Sequence, residues 1–262
     1  MKSLTNFVFT ILLFFLTASC SVLAQSVEEL LKEGDQYTEE KWDNQKALDK
    51  YLSADKISPN NYEVYWRISR AYVDIAEHMP ANNDEQKDAQ LAKYQVAYDW
   101  ADKAIKLAPD KSVTYLRRAI ANGRIALFKG VFSVLGIVKS VKADLEKAIK
   151  LGNGGNNIQS VAHYVLGRTH AKVCEKAYLL RLPLGLGWGD LEVAEKEYKK
   201  AIELRPNFRM FYLDLAKLYI DDDEYQKARE CLTKLENSPR QDEDDDKYLS
   251  EAKTLMEEIK NE

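Results

Sequence analysis

The sequence predicts an all-α protein, a superhelix of about five irregular helical hairpins closed by a C-terminal capping helix. Three observations carry this. Five segments repeat one spacing: residues 47–61, 97–111, 141–155, 194–208 and 228–240. Each begins with a small or apolar residue, with others four and seven positions on, as in Ala47, Tyr51 and Ala54 or Ala194, Tyr198 and Ala201; that spacing draws one stripe along a helix. Four of the five end in proline, Pro59, Pro109, Pro206 and Pro239, which stops a helix.

Composition is compatible with this reading and argues against several others. The chain has 262 residues, 45% of them hydrophobic, which argues against wholesale disorder. Its 38 basic and 42 acidic residues give a net charge of −4, the wrong sign for a general nucleic-acid binder. Three cysteines are too few for a disulfide-built scaffold.

Residues 1–24 read as a secretory signal: Lys2, an apolar run from Phe7 to Leu16, then small residues. A run of about ten residues is half of what a membrane-spanning helix needs. Val22 and Ala24 suit cleavage after Ala24, giving an exported, periplasmic or secreted chain. The alternative is a lipoprotein anchored at Cys20, for which Ala18 and Ser19 fit but Thr17 stands where Leu is usual. With Lys2 removed, the remaining chain carries −5.

Helices follow in order at 27–40, 44–57, 61–78, 84–107, 112–128, 130–151, 157–178, 189–204, 207–220, 224–236 and 243–260. The second, fourth, sixth, eighth and tenth carry the repeated stripe. Their partners, including 64–72, 113–122 and 161–170, bear Ser69, Ala119 and Gly167 where two helices must approach closely. Taking Ala54, Ala104, Ala148, Ala201 and Leu235 as equivalent gives steps of 50, 44, 53 and 34 residues. Three repeats are thus enlarged, near 77–92, 128–140 and 172–188. Residues 153–157 and 182–189 read as loops from their Gly and Pro content. The last helix is charged, as a cap on the end of a stacked array should be. The organisation is therefore 1–24 signal, 25–240 solenoid and 241–262 cap.

The paired pattern resembles the tetratricopeptide repeat (TPR), whose arrays form right-handed superhelices. Tyr212, Leu215, Ala216, Tyr219, Tyr225 and Ala228 stand at that family's spacing. YWRISRAYVDIAEH (65–78), ADKAIKLAPD (101–110), YLRRAIANGRIALFKG (115–130), LEKAIKL (145–151), YVLGRTHAKVCEKA (164–177) and YLDLAKLYIDDDEYQKA (212–228) more specifically resemble the regulator of microtubule dynamics proteins. Their C-terminal TPR-like domain has lengthened hairpins in the same places. That resemblance covers about residues 40–260. It implies association with mitochondria and microtubules, and, in one branch, a lipid-binding repeat domain. The export segment departs from that pattern.

Carrying over the repeat positions that line the concave face nominates Trp66, Leu116, Tyr164 and Leu213 as an apolar floor, with Arg70, Ile120, Arg168 and Lys217 beside them. Arg70, Arg168 and Lys217 form a row of cations suited to an apolar peptide with acidic residues, or to an amphiphile with an anionic head. The expected function is non-enzymatic: a scaffold binding a protein or peptide in this groove. The alternative is lipid or amphiphile binding, with peripheral membrane association open. No motif asks for a cofactor or names a catalytic set. His163, His170 and Cys174 share one helix face, as metal ligands can, but the two histidines occupy positions normally packed against the partner helix. The acidic runs 221–224 and 242–246 lack the central Gly and final Glu of a calcium loop and read as solvated turns before helices. Two apolar stretches, 125–138 and 178–188, read as core around the enlarged hairpins, or else as a pocket wall or docking patch.

Overall fold

The computed structural model describes residues 25–262, apart from Gly130, Lys176 and the side chains of residues 131–133. The predicted signal segment and Cys20 lie outside the described residues. The helices are α1 (Val27–Glu39), α2 (Asn44–Ile57), α3 (Tyr62–Glu77), α4 (Asp84–Leu107), α5 (Ser112–Ala126), α6 (Val131–Leu151), α7 (Gly155–Cys174), α8 (Tyr178–Arg181), α9 (Leu191–Leu204), α10 (Arg209–Asp221), α11 (Tyr225–Glu236) and α12 (Asp245–Glu258). No strand occurs among the described residues.

These helices form five antiparallel hairpins, α1–α2, α3–α4, α5–α6, α7–α9 and α10–α11, stacked in chain order with α12 against the last. The repeated stripe explains why each second helix sits where it does. Ala47, Tyr51, Ala54, Ala97, Ala101, Ala104, Val141, Leu145, Ala148, Ala194, Tyr198, Ala201, Ala228, Leu232 and Leu235 are all at most 3% exposed. Alanine on this stripe lets backbones come close without a cavity. The partner helices answer with small residues. Ser69 donates its hydroxyl to the Ala97 carbonyl at 2.7 Å, tying α3 to α4. A Cβ on Gly167 would lie 2.9 Å from the Ala194 carbonyl oxygen. One on Gly34 would press into the Tyr51 ring.

The turns between hairpins share a device. Tyr115 donates to the Pro109 carbonyl at 3.1 Å and Tyr212 to the Pro206 carbonyl at 2.8 Å, each six residues back. Tyr65 accepts from the Asn60 backbone N–H at 2.9 Å. The turns at Pro109, Pro206 and Asn60 are thereby fastened to the helices they precede. Arg118 on α5 adds an ionic tie, gripping Asp144 on α6 through two bonds of 2.8 Å and Asp102 on α4 at 2.9 Å.

Expected and observed helix ends agree within two residues except at α7. The sequence predicts that helix over 157–178, with 153–157 as a loop. Instead α7 starts at Gly155, because left-handed Gly152 (φ 65°) and Gly154 (φ 89°) complete the turn within three residues. It stops at Cys174, and the chain makes a separate single turn, α8, before a loop to α9. The three enlargements therefore differ. The first two extend α4 and α6 to 24 and 21 residues, and the third is a non-helical strap carrying α8.

Close approach should dominate the stability of the hairpins. Gly167→Val is expected to destabilise the fold by about 1–3 kcal/mol through overpacking. Gly123, in the last turn of α5 with nothing within 4 Å of a Cβ, should behave oppositely: Gly123→Ala stabilises by about 0.5–1 kcal/mol. Denaturant midpoints of the two variants check both signs.

Candidate functional site

The concave side of the stack is lined by the first helices, and its charges are arranged in facing sets. Arg70 on α3 lies 3.4 Å from Asp74, one turn on, and 3.3 Å from Glu39 on α1. Arg168 on α7 lies 3.8 Å from Asp214 on α10 and donates to the Tyr164 hydroxyl, which donates to Asp214 at 2.7 Å. Lys217 meets Asp214 at 3.7 Å and Glu251 on α12 at 2.8 Å. The expected row of cations is therefore present but answered by carboxylates.

The apolar floor is not where the repeat positions put it. Leu116, Tyr164 and Leu213 are at most 2% exposed and belong to the core. Leu116 packs with Leu145 and Ala148 of α6 and Ala162 of α7, and Tyr164 stacks on Phe211 with ring centroids 4.9 Å apart. Neighbouring helices cover these positions, so they offer no surface to a ligand. Ile120 is half-buried between two core clusters. Trp66 keeps a partly open face and donates its indole N–H to Glu63 at 2.8 Å.

Sequence positions alone did not nominate Arg117. Its guanidinium lies 5.4 Å from the Trp66 ring, and its buried Nε has no hydrogen-bond partner. Burial, then the nearby Arg70 charge, pulls its pKa down to about 9, still charged at neutral pH. The adjacent Arg118 has two carboxylates; Arg117 has no ion pair among the described residues. The Arg-Arg dipeptide was a visible signal, but only the packing separates the paired arginine from the unpaired one.

The two ends of the superhelix meet. Asn44, at the start of α2, donates to both carboxylate oxygens of Glu243 at 3.1 Å. His78, at the end of α3, lies 2.8 Å from Glu243 and 3.6 Å from Asp244. Arg240 lies over the Trp42 ring at 4.1 Å. The acidic run 242–246 is thus more than the solvated turn expected. Asp245 is buried, accepting the backbone N–H groups of Gln241 (2.6 Å) and Asp242 (3.0 Å), and Asp242 is pushed up in pKa by burial. Outside this bridge, an open cleft of about 630 Å³ runs along α1, walled mainly by Glu28, Asp35, Glu39, Glu40 and Glu63.

The other chemical candidates resolve into packing contacts. His163 pairs with Glu197 on α9, buried His170 meets the Trp188 ring edge-on at 5.1 Å, and Cys174 receives Arg181. Cys174 and Cys231 are both free thiols. No cluster of three or more metal-donor side chains occurs among the described residues.

The bridge should respond to pH. Burial disfavours the charged His78 ring, but its bond to the Asp74 carbonyl and the carboxylates of Glu243, Asp244 and Glu77 outweigh this and raise its pKa above 6.5. A raised histidine stabilises closure below its unfolded value and loses that contribution as pH rises through the folded one. Small-angle scattering should show the two ends loosening as pH rises above the ordinary histidine value and His78 loses its proton. His78→Gln should flatten that dependence.

Comparison with known proteins accords with this architecture. The chain matches the family described as "Regulator of microtubule dynamics protein 1-3" over residues 30–260. It is 26% identical to regulator of microtubule dynamics protein 1 of Mus musculus over 236 residues, covering 88% of this chain and 74% of that protein. It is 26% identical to protein 2 of Homo sapiens over 205 residues, covering 76% of this chain and 48% of that one. Among solved structures, a thermophilic TPR protein of Thermus thermophilus superposes with a TM-score of 0.65 at 16% identity, covering 88% of this chain and all of that one. Pseudomonas aeruginosa pilF gives 0.55 at 11% identity, covering 89% and 91% of the two chains. With the hairpins, their enlargements and this match coinciding over nearly the whole described chain, the protein belongs to the regulator of microtubule dynamics family.

Proposed function

We propose that the protein is a non-enzymatic binding scaffold that takes an anionic group of its partner into the superhelix interior at Arg117. The carrying observation is that guanidinium: half-buried beside Trp66, with its Nε shut away from solvent and unbonded, and with no carboxylate in ion-pair contact among the described residues. Every cation named from the sequence is already answered by an acid, so Arg117 is where an acidic side chain of a protein partner gains most. An enclosed Nε left without a partner destabilises the free protein, and a residue that does so fits a binding role. The bridge between the ends favours a second reading. It narrows the concave side against a long peptide and suits a compact anionic head, such as that of an amphiphile.

Arg117→Leu separates binding from stability. Free protein should gain about 1–3 kcal/mol, because an enclosed donor without a partner is removed. Binding of the partner should fall about ten-fold or more, as loss of a charge-assisted contact requires. Native mass spectrometry of the chain from Gln25, followed by solvent extraction, distinguishes the readings: a stoichiometric lipid supports the amphiphile, a clean mass the protein partner. A variant that loses stability and binds normally would sink both.

We also propose that this binding takes place outside the cytoplasm, on the strength of residues 1–24. N-terminal sequencing of the protein from its source should begin at Gln25, or at a lipid-modified Cys20. A mature chain retaining Met1 overturns export by either route.

A further inference from the structure

The strap between α7 and α9 is ordered at its base and apolar at its tip. At the base, Arg181 is buried, donating to the Gly189 carbonyl at 3.0 Å and reaching the Cys174 sulfur at 3.5 Å. Leu186 is buried and Trp188 packs on His170. At the tip, Tyr178, Leu179, Leu180 and Leu182 are 54%, 79%, 65% and 47% exposed. The expectation that residues 178–188 fill the core thus holds for 186–188 and fails for 178–182. Their exposure is not slack in the chain, because Arg181 and Leu186 pin the turn from below.

Direction matters as much as exposure. On a helical turn successive side chains are 100° apart. Tyr178, Leu179, Leu180 and Leu182 therefore point to several sides of α8, and Arg181 alone takes the inward direction. A flat or shallow protein surface covers one side of such a projection. A lipid interface surrounds it. Basic groups stand at the same edge, beyond the carboxylates of Glu175 and Asp190 at the strap's base. Lys129 and Lys139 are exposed and have no ion pair among the described residues, and Lys139 lies against the strap at Gly185. Leu127, 70% exposed, stands on this edge too, in the equivalent connection between α5 and α6. A projecting cluster of leucines with a tyrosine, edged by lysines, matches an anionic bilayer surface. No helix among the described residues is long and apolar enough to cross a membrane, so contact here would be interfacial.

We propose that the strap is a membrane-docking element: Leu179, Leu180 and Leu182 enter the acyl boundary of an anionic lipid surface, Tyr178 sits at headgroup level, and Lys129 and Lys139 meet the headgroups. This requires neither the groove reading nor Arg117.

The test uses the chain from Gln25, which contains all the described core clusters and omits the apolar leader. Vesicles of phosphatidylcholine, with or without phosphatidylglycerol, are sedimented with wild type, with Leu179→Ser/Leu180→Ser, and with Lys129→Glu/Lys139→Glu. Wild type should partition onto the anionic vesicles. The double serine variant should lose about ten-fold or more, two leucines being withdrawn from the lipid. The double glutamate variant should lose the preference for phosphatidylglycerol. In a Leu179→Trp chain, brominated lipid should quench the new fluorescence, placing the tip in the bilayer. Equal sedimentation of wild type and the serine variant overturns the proposal. So does failure to bind vesicles while the serine variant dissolves a dimer or protein complex seen by analytical ultracentrifugation, which would make the strap a protein contact. Unchanged helicity and unfolding midpoint in each variant keep these outcomes free of folding defects.

Discussion

The fold depends on the close approach of two helices at an alanine-rich stripe. Apolar burial alone would be met by larger side chains at wider spacing, but Ala47, Ala97, Ala101, Ala194 and their equivalents hold each second helix close to its partner. Ser69 and Gly167 serve the same contact from the other side. Once each hairpin is this tight, its angle to the next is set by the same surfaces repeated, and a curved stack follows. The tyrosines that reach back to Pro109 and Pro206 fix the turns between hairpins in one form.

Curvature brings together charges that the sequence keeps far apart. Glu39 and Arg70, Arg168 and Asp214, and Lys217 and Glu251 come from different hairpins or from the cap. In a partly dry interior an unanswered charge is costly, so most of the lining is arranged as ion pairs. Asp74 shows the economy of the arrangement: its carboxylate serves Arg70 and its carbonyl holds His78. Arg117 stands out against this background because everything around it is matched. The cap completes the interior, with Glu243 joining Asn44 and His78 across nearly the whole chain.

The three enlargements show how a repeat family diversifies without disturbing its core. Two lengthen second helices at their outer ends, where added turns remain hydrogen-bonded within themselves. The third gives up helical continuity and folds as a strap held by Arg181, Leu186 and Trp188. That choice frees a short apolar segment from the core. Composition alone made 125–138 and 178–188 look alike, yet in the first Ile125 is buried and Ile137 packs against its cluster, with Leu127 exposed, while in the second Leu179 and Leu180 face outward.

By itself the sequence determined the all-helical class, the five hairpins, nearly all the helix ends and the buried stripe. These rest on local rules: periodicity, proline stops and small residues recur within a few turns of the chain. It also located the enlargements, because an interrupted period is visible in one dimension. Only the tertiary structure decided which first-helix residues line the interior. Leu116, Tyr164 and Leu213 carry the right spacing for a groove floor but are covered by neighbouring hairpins, and coverage depends on curvature rather than on register. For the same reason the charges of Arg70, Arg168 and Lys217 were legible and their cancellation by Glu39, Asp214 and Glu251 only partly so. An i, i+4 pair such as Arg70 and Asp74 can be read along the chain; a pair bridging hairpins, or an arginine left with none, exists only after the chain has closed on itself.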